Sequence, residues 1–409
     1  MSVNVRALQV FMIAFALVGS SLLTYNDSPT EPKYALITLS FIVVLLAPML
    51  NNDIPRIATF KKNIWGQLFF FMPVAMLLVW FYGLLVAVLN GNEILFALRN
   101  FTGMLFYFFL YSLLIAQPSI KNIFNIIFLA LLVQLAYAVY YSYPFFSGDV
   151  VFNLAISISE NKTAYSVGFS IFFPFVTLLL YYYVSNDSIR KNLDFVSIKF
   201  HYFFIFIAVV LFSIIPNLSK GFFIALVFSL FFPVLYTFYS SLARHKSVVG
   251  GLGFFMQFSL IFLAIFVMIV FWEPLIFTFS NSETSNAERA TQFGFIVEDL
   301  VFWGKGLGAL VDGYDRNHYG LELTYLSIVH KFGILGILIV CYFFITFFCI
   351  FINLLKGRQV FVSFFAFGLM LYTVPAAGNP LLFDPLMIML HCFAVYMLLK
   401  PDGKFSKVF

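Results

Sequence analysis

The residues of this chain that could do chemistry gather in one stretch, Glu273 to Glu322, a polar excursion set between long apolar segments. Near its end stand Arg316, Asn317, His318 and Tyr319. An imidazole titrates near neutral pH and can accept or donate a proton, which makes His318 a candidate acid-base group. If a helix starts near it, Glu322 falls one turn on along the same face, where its carboxylate can orient the ring. The plainer alternative is a histidine of a surface loop. Arg289, within Asn286 to Phe295, belongs to a segment that reads as a helix starting near Ser285 and lying along the membrane surface. A planar guanidinium meets two phosphate oxygens with two N–H donors, so Arg289 is a candidate phosphate clamp. For Arg289 an exposed ion pair or interfacial anchor is the alternative. Lys220 stands in Pro216-Asn217-Leu218-Ser219-Lys220-Gly221, a short break between two apolar helices. A helix N-terminus favours negative charge, so a cation there fits best when an anion joins it; otherwise Lys220 is a snorkelling anchor.

Other polar residues carry weaker signals. Phe302-Trp303-Gly304-Lys305-Gly306-Leu307-Gly308 is a glycine-spaced turn without the strand-turn-helix context of a nucleotide-binding loop. Lys305, Arg99 at the start of an apolar segment, and Asn161 with Lys162 before another are candidates for lining a substrate cavity. His330, next to Lys331, lies one or two turns into an apolar helix and either lines that cavity or snorkels. His391 falls in mid-span, where an interhelical hydrogen bond is the expected role. Cys341, Cys349 and Cys392 all sit in apolar runs and form neither a disulfide framework nor a zinc pattern, so they read as packing residues.

The elements that must position these residues are membrane helices. Of 409 residues 62% are hydrophobic and only 10% charged, with mean hydropathy +0.99, too much apolar surface for soluble domains to hide. The expected fold is all-α and polytopic, one membrane domain over residues 1–409. Crossing a bilayer takes about 20 mostly apolar residues, and about twelve segments qualify. They run over 7–23, 35–50, 67–89, 95–116, 121–143, 164–184, 201–216, 220–240, 252–272, 321–355, 359–375 and 382–399. With both termini cytoplasmic, the short basic loops, such as Arg244 to Lys246 and Lys356 to Arg358, all lie inside, as the positive-inside rule requires. Residues 273–322 then form the largest outer loop, followed by Pro144 to Thr163. No cleavable leader is expected, since further spans follow the first apolar run.

About a dozen spans, one large late outer loop with an arginine near its start, a glycine-spaced turn, then His318 and an apolar helix carrying Phe332-Gly333-Ile334-Leu335-Gly336: in this order the chain resembles the O-antigen polymerase and ligase superfamily of bacterial membrane glycosyltransferases. The likeness covers about residues 150–340. Where members often have Ser-x-Ser-Arg-Gly at the short outer turn, this chain has Asn217 to Gly221, which keeps the charge but not the bidentate geometry. The resemblance implies a C-type, largely helical, metal-independent glycosyltransferase with no cofactor, at the periplasmic face of the bacterial inner membrane. Its donor would be a glycan on undecaprenyl pyrophosphate, and in a polymerase its acceptor a second lipid-linked repeat unit. Lys220, Arg289 and Arg316 would hold the pyrophosphate, and His318, Arg289 and Glu322 would serve catalysis. Arg99, Asn161, Lys162, Lys305 and His330 would line the cavity, with no metal. Partners would be the lipid-linked oligosaccharides, the membrane and a chain-length regulator, not nucleic acid. The alternatives are a ligase that moves the glycan to lipid A core, and a flippase. A flippase calls for charges along a path open to both faces and two similar halves; the polar chemistry here is one-sided.

Overall fold

The structure, a computed structural model, describes residues 4–22, 31–51, 64–147, 155–159, 162–165, 173–184, 220–244, 284–314, 321, 323–356, 360–378 and 382–399. The architecture is helical because a chain this apolar must satisfy its backbone hydrogen bonds within each segment. Helices α1 (Val5–Leu22) and α2 (Glu31–Leu46) run antiparallel, since Gln9 donates to the Val44 carbonyl at 2.9 Å and Ser40 to that of Met12 at 3.1 Å. Then come α3 (Ile64–Leu89), the short α4 (Ile94–Arg99), a 3-10 turn Thr102–Phe108, α5 (Phe109–Ala116) and α6 (Ile120–Ser147). A small antiparallel hairpin, β1 (Ala155–Ser159) and β2 (Lys162–Tyr165), is the one β element among the described residues. It is followed by α7 (Phe173–Val184), α8 (Lys220–Arg244), α9 (Thr284–Glu298), α10 (Thr324–Phe332), α11 (Ile334–Leu355), α12 (Val360–Met370) and α13 (Pro385–Leu399).

Among the described residues, five helical stretches are long and apolar enough to cross a membrane: Lys33–Asn51, Gly66–Leu89, Ile94–Ala116, Ile334–Leu355 and Val360–Ala377. Shorter apolar helices cover Val5–Ser21, Ile120–Ala136, Ile224–Thr237 and Pro385–Leu399. The expected spans 201–216 and 252–272 lie outside the described residues, as does part of 164–184. Two expected spans are interrupted. The segment 95–116 breaks at Phe101, held in the left-handed region at φ 52°, where the freed Asn100 carbonyl accepts from the Trp80 indole at 3.2 Å. The segment 321–355 breaks at Gly333, so the long span starts only at Ile334.

Helix α13 is buried along almost its whole length and α12 nearly so, as expected of helices that are apolar on every face. By contrast α3 exposes Leu78, Phe81, Leu85 and Val88, a lipid-facing stripe. Polar contacts fix which helix ends meet. At one end Arg6 donates to the Gln117 carbonyl at 2.6 Å and Tyr396 to that of Pro118 at 3.0 Å. At the opposite end Lys33 pairs with Asp384 at 3.2 Å and Tyr325 donates to the Thr373 carbonyl at 2.8 Å. The Asp384 carboxylate also caps α13, accepting from the Leu386 N–H at 2.9 Å.

Midway between these ends His391 is fully buried. The Thr346 hydroxyl donates its single hydrogen to the Tyr342 carbonyl at 3.0 Å, so toward His391 Nε2, at 3.3 Å, it acts as acceptor. Nε2 therefore carries the hydrogen, and Nδ1 accepts from the Tyr107 hydroxyl at 2.8 Å. Every donor in that chain ends on an acceptor. The mid-span histidine is thus the interhelical fastener that its position in the sequence suggests.

Candidate functional site

The glycine-spaced turn is where the structure concentrates ionisable side chains. Helix α10 ends at Phe332 because Gly333 turns the chain at φ +58°. The last carbonyls of a helix have no partner within it. Here the turn supplies them: the Lys305 N–H donates to His330 O at 2.9 Å and the Gly306 N–H to Lys331 O at 3.0 Å, while the Ile334 N–H closes on Phe302 O at 2.9 Å. On its other side the turn docks on α3 and the segment after it. The Leu307 N–H donates to Gly83 O at 2.9 Å, Tyr82 to Trp303 O at 2.7 Å, and the Asn92 amide to Lys305 O and Leu307 O at 2.9 and 3.0 Å.

Gly304, Gly306 and Gly308 are all left-handed, with φ +81°, +85° and +70°. A Cβ on Gly304 would strike the Lys331 carbonyl, and one on Gly306 the backbone of Ala87. One on Gly308 would come within 2.7 Å of Ala97 N. Both the dihedral and the space at these three positions therefore demand glycine.

This docking brings together side chains that are distant in sequence. Asp299, one residue past the end of α9, receives the Lys305 ammonium at 2.7 Å on one oxygen and His330 Nε2 at 2.8 Å on the other. Lys305 also reaches Asp312 at 3.4 Å. Burial works to raise the Asp299 pKa, but the hydrogen bonds from Lys305 and His330 outweigh it and hold the carboxyl below its ordinary value. The Asp299 hydrogen bond holds the Lys305 ammonium above its own. His330 is fully buried, and that burial lowers its pKa against the opposing pull of Asp299, so the ring is neutral at pH 7. A carboxylate only accepts, so Nε2 carries the hydrogen. Nδ1 then bears a lone pair, and it has no hydrogen-bond partner among the described residues. Next to it Lys331, also fully buried, donates to the Ala309 carbonyl at 2.6 Å. Desolvation pushes this ammonium down to about 7.

Of the candidates from sequence, Lys305 and His330 meet through a shared carboxylate. Arg289 lies partly buried on α9, the helix expected to start near Ser285 and observed over Thr284–Glu298. Its neighbours on that helix are tied to the segment beyond the turn: the Gln292 amide donates to the Tyr314 hydroxyl, and that hydroxyl to Glu288, both at 3.1 Å. Lys220 opens α8, and the next residue, Gly221, packs its backbone on Pro375 beside the Pro375–Gly378 turn. Arg99 closes α4 and is exposed, away from this cluster's contacts. Lys162 begins β2. Asn161, Arg316, His318 and Glu322 lie outside the described residues.

Sequence reasoning passed over Asp299. Its signal was an acid just past a helix end in a segment otherwise marked by its cations.

Such a cluster can fix a proton on one nitrogen of an imidazole, leave the other free to accept one, and keep the Lys305 cation nearby. Phe302 and Trp303, their rings edge to face at 4.8 Å, are 64% and 65% exposed beside it, as aromatic residues at a membrane-water boundary are. In comparisons with known proteins, the chain matches no family model and no curated protein.

Proposed function

We propose that this chain is a membrane glycosyltransferase that joins oligosaccharide repeat units carried on polyprenyl pyrophosphate, on the membrane face opposite its basic loops, in the manner of an O-antigen polymerase. The observation that carries the reading is the Asp299, Lys305 and His330 cluster, with buried Lys331 beside it, at the end of the helix bundle away from Arg6 and Lys356. Breaking the bond between an anomeric carbon and a pyrophosphate oxygen develops negative charge on the leaving group. Fixed cations stabilise that charge. Lys220, Arg289 and Arg316 are proposed to do so, with Lys305 lining the cavity. The attacking sugar hydroxyl needs a group to position it, for which His318 with Glu322 is proposed.

The central polar network argues against a flippase. Among the described residues, Tyr107, His391 and Thr346, with the Tyr342 carbonyl, form a closed hydrogen-bond chain that fastens helices. A ligase would share the fold and differ in acceptor.

The test is a gel of surface glycans from the source organism with the gene deleted and then restored. Lipid A core carrying a single repeat unit is the expected result. Bare core, with long chains still on the carrier lipid, would point to the ligase, and an unchanged ladder would overturn the reading.

A further inference from the structure

Helix α9 carries apolar residues on two sides, and the protein covers only one of them. Its inward side buries Gln292 and Ile296, the latter in a small cluster with Val311, Tyr314 and Leu321. On the outward side Phe293, Gly294 and Val297 form an exposed stripe, since residues three and four apart share a helix face. Thr291 and Glu298, also exposed, border it with polar groups. Past the helix end the apolar surface continues through Val301, Phe302 and Trp303, all exposed. An open apolar patch of this kind marks a surface that meets a partner or a membrane.

The backbone fixes the depth of the patch. Trp303 O accepts from the Tyr82 hydroxyl at 2.7 Å, and the Leu307 N–H donates to Gly83 O at 2.9 Å, so the turn lies beside that level of α3. Gly83 stands six residues before Leu89, where the apolar span Gly66–Leu89 ends, which is about 9 Å along the helix axis. The span's 24 residues measure about 36 Å against about 30 Å of hydrocarbon, so even with all of its excess on this side Gly83 lies inside the hydrocarbon edge. A second landmark agrees: Phe302 O accepts from the N–H of Ile334, the first residue of the spanning helix α11. Within a turn of these two contacts Leu85 of α3 and Ile337 and Leu338 of α11 are exposed. The patch therefore continues the lipid-facing surface of the spanning helices.

We propose that this patch is seated in the lipid bilayer on the side opposite the basic loops. Phe302 and Trp303 lie among the acyl chains at their glycerol end, and the Phe293–Val297 stripe of α9 lies along the same boundary. An indole suits that place, because its ring is apolar and its N–H is met by water or headgroups. The helix suits it too, since one apolar face sinks while the border of Thr291 and Glu298 stays with the headgroups. The inference stands apart from the glycosyltransferase reading. Its consequence for the ionic cluster is mechanical: Asp299 follows α9 and Lys305 follows the two aromatic residues, so lipid on one side and the helix bundle on the other hold the pair in place.

The experiment is fluorescence quenching of the full-length protein in phosphatidylcholine vesicles. Bromine atoms are placed on the acyl chains near the glycerol or near the methyl end, and acrylamide is added to the water. Subtracting Trp303→Phe from wild type isolates Trp303 from Trp65, Trp80 and Trp272. Phe293→Trp, at an exposed position, adds a reporter on α9. For both reporters the expected result is loss of most of the emission to bromines near the glycerol end, a smaller loss to those near the methyl end, and little loss to acrylamide. Quenching of Trp303 by acrylamide and not by bromines places the patch in water and overturns the proposal. So does a Trp303 signal that neither quencher reaches, which means that a protein partner or a second copy covers the patch. Stronger quenching by the deeper bromines overturns the boundary placement. If Trp303→Phe fails to fold, Phe293→Trp decides by the same criteria, and its quenching by acrylamide alone overturns the seating of α9 whatever Trp303 shows.

Discussion

Replacing Gly306 with alanine tests whether the glycine turn is docked as described. Gly306 has φ +85°, and a Cβ there would run into the backbone of Ala87 on α3. Holding alanine in the left-handed region costs about 1–2 kcal/mol. Forcing an extra methyl against a backbone that cannot step aside adds about 1–3 kcal/mol. Gly306→Ala should therefore destabilise the protein by about 2–5 kcal/mol, provided the turn stays seated. If it lifts to relieve the clash, the Gly306 N–H loses Lys331 O and the Lys305 N–H is drawn from His330 O, at about 1 kcal/mol for each hydrogen bond lost. The control is Gly294, inside α9, where an added Cβ meets nothing within 4 Å. There alanine gains helix propensity and should stabilise by about 1 kcal/mol. Thermal unfolding of both variants in one detergent gives the readout, a clear loss for Gly306→Ala and a small gain for Gly294→Ala. Equal melting temperatures for Gly306→Ala and wild type would refute the docked turn.

Two further perturbations probe the buried charges. Lys33 and Asp384 have side chains only 7% and 16% exposed, so Lys33→Met leaves a nearly buried carboxylate alone and should cost about 3 kcal/mol. Adding Asp384→Asn, which keeps a capping oxygen for Leu386, should restore part of that loss; strictly additive effects in the double-mutant cycle would count against the pair. Lys331 has its pKa lowered from 10.5 to about 7, so between those values the unfolded chain holds a proton that the folded one lacks, and stability rises with pH. Chemical unfolding should show a gain of about 2 kcal/mol from pH 7 to 9 in wild type, absent in Lys331→Met. A slope that survives the substitution would assign it elsewhere.

The helical, membrane-embedded character was legible because it is a property of composition: apolar runs must form helices wherever water cannot serve the backbone. His391 was legible for a related reason, since a polar group deep in an apolar run has to find its partner on a neighbouring helix. What could not be read is what depends on which distant segments meet. Lys33 is visible in the sequence as a cation at the start of an apolar segment, but nothing at position 384 announces that its aspartate lies across from it. The single span expected over 321–355 hid a break, because Gly333 interrupts the helix without interrupting the hydropathy.

The same limit shaped the site. Cations near a membrane draw attention one at a time, because each is costly there. The group that unites Lys305 and His330 is an anion, and it marks the place for a physical reason. Two cationic or proton-bearing side chains cannot share a buried spot unless a carboxylate stands between them. An acid among cations, six residues before a lysine flanked by glycines, was therefore the sharper signal in this stretch of sequence. Asp299 also fixes which nitrogen of His330 bears the hydrogen, which the sequence could not express. Positions of chemistry in such a chain are thus better sought at its few acids than at its more numerous bases.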